Sequence, residues 1–298
     1  MALGTTVLGT GACIVLNFVL VLMLGFGIAG SAFSTIIGQG VGMIPVLWFF
    51  MFSKKAPFKL HAKNLPVSPK AAAEIMALGV PSFIMQCGNA VVTLVLNHVI
   101  NLYAATDPIG VTDAFATISI VWKVMGLAYT VVIGITAGAQ PILGFNVGAC
   151  QWTRVKKTLK WACIDAAALA TAAWAFFELC PSLVLSIFSI GDDLMPFACM
   201  TMRIFAIWLP FVGYQMMGSS HFQSTGQPLK ATVLELTRQI LFLIPLYLLF
   251  PPVAMQLLGV SGLTGVVLCV PLADALATIL TTFFVVREVR RLNKLIKG

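Results

Sequence analysis

The chain has 298 residues, 59% of them hydrophobic and 9% charged, whereas a soluble domain carries about a quarter Asp, Glu, Lys and Arg. That balance excludes soluble globular, disordered, collagen-like and disulfide-stapled classes and leaves an integral membrane protein. The 18 basic residues against 10 acidic ones are read first as a membrane-topology signal rather than as a nucleic-acid surface.

No Asp, Glu, Lys or Arg occurs from Met1 to Ser53, Ile75 to Thr106, Val124 to Thr153, Ile204 to Leu229, or Gln239 to Ala273. Each run reaches the roughly 20 apolar residues that cross about 30 Å of hydrocarbon. Backbone groups in lipid must be satisfied within the segment, and strict barrel-strand alternation is missing, so the runs predict helices. Gly25 to Gly30 divides the first run, and Pro251-Pro252 with Gly259 and Gly262 divides the last. The predicted spans are 7–25, 31–52, 75–102, 111–138, 159–180, 194–221, 233–250 and 262–286, an all-α integral membrane fold of about eight helices.

Basic residues near helix ends are retained on the cytoplasmic side. With the C-terminus assigned there, the inner loops hold Lys54, Lys55, Lys59, Lys63 and Lys70, then Arg154, Lys156, Lys157 and Lys160, then Lys230, and the tail holds Arg287, Arg290, Arg291, Lys294 and Lys297. The outer loops hold acids such as Asp107, Asp192 and Asp193. The seven cysteines lie in or beside apolar segments without CxxC spacing and read as small hydrophobes.

Gly27-Ile28-Ala29-Gly30, followed by an apolar helix with Pro45 and Trp48-Phe49-Phe50, aligns with Gly259-Val260-Ser261-Gly262, followed by Pro271 and Thr282-Phe283-Phe284. This weak internal repeat makes the first two helices counterparts of the last two. The expected division is a partial lobe over 1–53, a basic linker over 54–71, a complete six-helix lobe over 72–286 and a basic tail over 287–298.

The segment Gly134-Ile135-Thr136-Ala137-Gly138-Ala139-Gln140-Pro141-Ile142, continued by Gly144-Phe145-Asn146-Val147-Gly148-Ala149, resembles a signature of the multidrug and toxic compound extrusion (MATE) family. Phe222 to Pro228, with Gln223 and Gly226, and Leu236 to Pro245, with Arg238, resemble that family's tenth-to-eleventh helix connection. Leu16-Asn17 and Gly27 to Ala32 resemble its fifth and sixth helices. The resemblance implies helices five to twelve of a twelve-helix transporter, with four helices upstream of Met1 removed by truncation or lost in a remnant. It also implies a monomer in the bacterial plasma membrane that exports cationic or amphipathic compounds in exchange for H+ or Na+, without a cofactor. Two departures stand out: Val21-Leu22 replace an Asp-Pro pair, and Gln86 occupies a position where many members carry Glu.

Ionisable groups deep in a bilayer are expensive and tend to face a bundle interior or a water-filled pathway. By the predicted spans Lys123, Asp165, Arg203 and Asp274 are such groups. They are candidates for the ion or substrate pathway, against the plainer reading of Asp274, Asp165 and Lys123 as a buried structural pairing and of Arg203 as a snorkelling cation. Gln86 and Asn89, one helical turn apart, either line a polar cavity or bond between helices. Pro141 is expected to stop a helix, with Gly144, Asn146 and Gly148 in a tight turn, which gives Gln140 and Pro141 a structural role.

No GxxxxGK[ST] segment is present, and His61, His98 and His221 form no HExxH. Ser219, Ser220 and His221 are adjacent, so on a helix they point about 100° apart and form no dyad. An efflux antiporter is favoured. The alternatives are a lipid-linked saccharide flippase of the same superfamily and a non-transporting membrane protein.

Overall fold

The computed structural model describes residues 2–53, 69–188 and 190–297. Helices account for nearly all of them, and no strand occurs among the described residues. Seven helices are long and apolar enough to cross a membrane, or eight if one bent pair counts as a span. Two compact units separate at Ala77 and Leu78. The expected linker lies largely at 54–68, outside the described residues.

The first unit is a helical hairpin. Helix α1 (Ala2–Asn17) continues as a π-helical segment, Phe18–Met23, and α2 spans Gly27–Phe52. Gly25 (φ +69°) and Gly27 (φ +53°) turn the chain in the left-handed region that L side chains avoid. The two helices approach closely at Gly9, Gly38 and Gly42. A methyl added at Gly38 would stand 2.7 Å from the Cys13 Cβ, so these glycines set the spacing, as small residues do between helices in lipid.

Helix α3 (Pro69–Ala104) runs across the boundary, and from Leu78 onward the second unit contains the rest of it, α4 (Val111–Gly148), α5 (Trp152–Leu179), a short α6 (Pro181–Ser186), α7 (Met195–Ala206), α8 (Leu209–Ser224), α9 (Pro228–Leu236), a π-helical segment Thr237–Leu243, α10 (Ile244–Leu258) and α11 (Gly262–Lys297). Its largest core gathers Val121 and Met125 of α4, Met202 and Phe205 of α7, Tyr247 of α10, and Leu263 and Val267 of α11. Helix α5 lies against α4 and α8, where Gly213 lets the α8 backbone meet Ala166.

Several predicted boundaries move. Helix α4 passes straight through Pro141 and ends at Gly148, not near 138. One proline removes one hydrogen bond, a loss a long membrane helix absorbs with its neighbours' help. The turn after α4 falls on Ala149 to Gln151, where Cys150 (φ +53°) is the one non-glycine residue with positive φ among those described. Asn146 is therefore in the helix, its Nδ2 donating to the Ile142 carbonyl at 2.8 Å.

The predicted span 194–221 is bent by 44° between α7 and α8. Pro210 sits at the second position of α8, where its ring would strike the Ala206 carbonyl in a continuous helix. Pro251 and Pro252, expected to end a helix, lie inside α10, which stops at Gly259 (φ +63°). Residues 287–297 prolong α11.

Candidate functional site

Arg238 and Asp274 form a buried ion pair inside the second unit. Arg238 lies in the π-helical segment and Asp274 in α11, three residues after Pro271. The Arg238 Nε donates to Asp274 Oδ1 at 2.6 Å, with the Asp274 side chain 1% exposed and that of Arg238 22%. A π segment widens the helix by one residue per turn and often marks a functional position. Here it belongs to the helix that brings Arg238 to α11.

The surroundings of the pair are polar and incompletely satisfied. Asp274 Oδ2 and the Tyr247 hydroxyl are buried without a hydrogen-bond partner, and Tyr129 and Tyr247 both stand within electrostatic range of the pair. One turn on, the Thr278 hydroxyl donates to the Asp274 carbonyl at 2.7 Å and accepts the Trp208 indole N–H at 2.9 Å. Trp208 occupies the bend between α7 and α8, so the bend and the acidic helix are tied through one hydroxyl. A buried carboxylate with one oxygen on Arg and the other unpaired is an acceptor for a small cation or a proton.

The other candidates scatter. Lys123 is exposed on α4 and Asp165 is exposed on α5, so the pairing of Asp274 with Lys123 is corrected: the cation that reaches Asp274 is Arg238. Lys123 is exposed while its neighbours Val124 and Met125 are buried, because one position turns a helical side chain by about 100°, here out of the buried stripe. Arg203 pairs with Glu178 at 3.8 Å, both side chains about half exposed, a contact of little energetic weight. Gln86 and Asn89 bond to each other along α3 at 3.2 Å, within one helix rather than between two.

The signature segment contributes a second polar cluster. Gln140 Nε2 donates to the Ser220 hydroxyl at 3.0 Å and, weakly, to Gln223 Oε1 at 3.5 Å, joining α4 to α8. The Ser219-Ser220-His221 run thus serves packing: Ser220 bonds Gln140, and His221 is fully buried against Phe222. Gly226 (φ +75°) makes the turn into α9, and Gln227 reaches across to Glu288 of α11 at 3.3 Å.

The MatE family model matches residues 81–249. This chain belongs to the MatE family. It is similar to the multidrug export protein MepA of Staphylococcus haemolyticus (strain JCSC1435), with 23% identity over 276 residues that cover 92% of this chain and 57% of that protein. MepA of Staphylococcus aureus (strain MSSA476) is 22% identical over 285 residues, covering 92% and 58%. The chain therefore spans less than two thirds of the length of these relatives. Among solved structures it is similar to a MATE protein crystallised in complex with MaL6, with a TM-score of 0.80, 21% identity, and 98% of this chain against 62% of that one covered. An outward-facing MATE transporter gives 0.79 with 22% identity, over 98% and 62%. An inward-facing one gives 0.77 with 21% identity, over 98% and 64%. These likenesses establish the all-helical membrane fold.

Within the MatE fold, sequence reasoning placed Arg238 in a structural motif and Asp274 among the pathway candidates, or in a pairing with Asp165 and Lys123, and missed that Arg238 and Asp274 are partners. It also missed Tyr129, Tyr247 and the Trp208–Thr278 bond. The legible signal was Arg238 itself, a cation at the head of the charge-free run from Gln239 to Ala273, with Glu235 one turn before it. A charge there implies a buried counter-ion, and only a few acids are apolar-flanked enough to supply it.

Proposed function

We propose that the chain is part or all of a secondary-active multidrug exporter that moves cationic or amphipathic compounds out of the cell in exchange for H+ or Na+. It acts in the bacterial plasma membrane, with the C-terminus in the cytoplasm. Membership of the MatE family supports the transporter class, and the similarity to multidrug export proteins supports the substrate class. The sequence holds no GxxxxGK[ST] segment of the kind that cradles ATP phosphates. The alternation of basic and acidic loops supports the orientation.

The observation that carries the coupling is the buried Arg238–Asp274 pair with its unpaired Oδ2. A proton or Na+ arriving at Oδ2 neutralises the carboxylate and loosens its hold on Arg238. The π segment and α11 are then free to shift relative to each other, a two-state element that an ion and a substrate bias in opposite directions. The Gln140–Ser220 cluster stays a structural tie between α4 and α8.

The reading is tested with everted membrane vesicles carrying the chain as it stands, and carrying it joined to the part of MepA that it does not match. Ethidium uptake driven by a proton or Na+ gradient is followed. Uptake should stop when the gradient is dissipated and fall to background in Asp274→Asn. Uptake that persists without a gradient but follows ATP overturns the proposal, as does full uptake in Asp274→Asn.

A further inference from the structure

We infer that the end of the second unit where α9 begins and α11 finishes holds a site for the headgroup of an anionic phospholipid, with two-phosphate headgroups preferred. A cavity of about 600 Å³ lies there, and five cations line it: Lys230 of α9 and Arg287, Arg290, Arg291 and Lys294 of α11. The four from α11 fall at i, i+3, i+4 and i+7, one face of a helix. Lys230 arrives on that face from a separate helix.

Topology alone accounts for basic residues at this end, but not for their convergence, and internal contacts hold two of them in place. Glu288, 5% exposed, accepts from Arg291 Nη1 and from Gln227 Nε2, each at 3.3 Å. Gln227 Oε1 in turn accepts from Lys230 Nζ, whose ammonium also sits 5.5 Å from the centre of the Phe222 ring. One carboxylate thus stands against five cations. Arg287, Arg290 and Lys294 have no acidic partner among the described residues and are exposed. Such a concentration of charge repels itself unless an anion joins it, and phosphate oxygens are the acceptors that Arg and Lys suit.

The apolar surroundings identify the anion as a lipid. Leu276, Ile279 and Phe283 are exposed on α11 and lead by steps of three and four residues to Arg287 and on to Arg290 and Lys294. On α9, Leu229 and Val233 are exposed beside Lys230, and Phe284 lines the cavity. An acyl chain lies along the apolar stripe while its phosphates sit among the cations, the arrangement in which basic pockets between membrane helices take phospholipid headgroups. A soluble phosphate would gain nothing from the stripe. The excess of cations over the single carboxylate favours two phosphates over one.

Native mass spectrometry of the purified chain in neutral detergent, titrated with cardiolipin, phosphatidylglycerol or phosphatidylcholine, tests the site. Binding should follow that order, cardiolipin tightest. With roughly fivefold in affinity per basic residue, Arg287→Gln/Arg290→Gln/Lys294→Gln should weaken cardiolipin by about 100-fold. Lys294→Gln alone, which leaves four cations to hold the fold and orientation, should weaken it by about fivefold. Arg154→Gln/Lys157→Gln, which removes two cations outside the cavity, should change it little. Equal losses in the two multiple variants would indicate diffuse surface charge and overturn the site, as would equal binding of phosphatidylcholine. Inorganic pyrophosphate bound as tightly as cardiolipin in equilibrium dialysis would overturn the lipid assignment.

Discussion

Arg238 and Asp274 lie 36 residues apart, on a π-helical segment and on a proline-containing helix, and meet at 2.6 Å with the carboxylate almost wholly buried. Each is the other's means of residing in the bundle. Removing one strands the other, whereas removing both leaves no unpaired buried charge.

Asp274→Asn and Arg238→Met should therefore each destabilise the folded protein by about 3 kcal/mol, and Arg238→Met combined with Asp274→Leu should recover most of the loss. Thermal unfolding in detergent measures this. Transport measured alongside separates the roles: a stable, inactive double variant makes the pair part of coupling. A stable, active one reduces it to structural support.

The Gln140–Ser220 bond joins α4 to α8 at 3.0 Å. Ser220→Ala and Gln140→Leu should show a coupling of about 0.6 kcal/mol in a double-mutant cycle, the usual worth of a hydrogen bond between membrane helices. Strict additivity in thermal unfolding would show that the two side chains do not support each other.

Cys150 holds a left-handed φ of +53° in the α4–α5 turn and is exposed. Its replacement by glycine removes a steric penalty of roughly 1 kcal/mol, so Cys150→Gly should raise the unfolding temperature. Gly213→Ala should act the other way. The added methyl would stand 2.5 Å from the Ala166 carbonyl oxygen, and backbone cannot yield as a side chain does. Overpacking of that kind costs about 1–3 kcal/mol.

Cys150 and Cys180 are exposed just beyond opposite ends of α5, whose 28 residues extend about 42 Å, enough to cross the bilayer. In single-cysteine variants an impermeant maleimide should label Cys180 on intact cells, and Cys150 only after the membrane is opened. The reverse pattern would invert the proposed orientation.

Composition, charge-free runs and loop charge were enough to read a helical membrane protein of about eight spans from the sequence, because hydrocarbon imposes the same length and polarity on every crossing helix. The residues from Gly134 to Gly148 were enough to bring the MATE family into view. Helix ends were less legible. Pro141, Pro251 and Pro252 look like stops in one dimension, yet lie inside α4 and α10, because neighbouring helices tolerate the lost hydrogen bond. The pairing of Asp274 was decided by tertiary structure alone. The sequence offered Lys123 as the partner, but facing is set by about 100° of rotation per residue together with the added turn width of the π segment. That rotation leaves Lys123 exposed and carries Arg238 to the carboxylate.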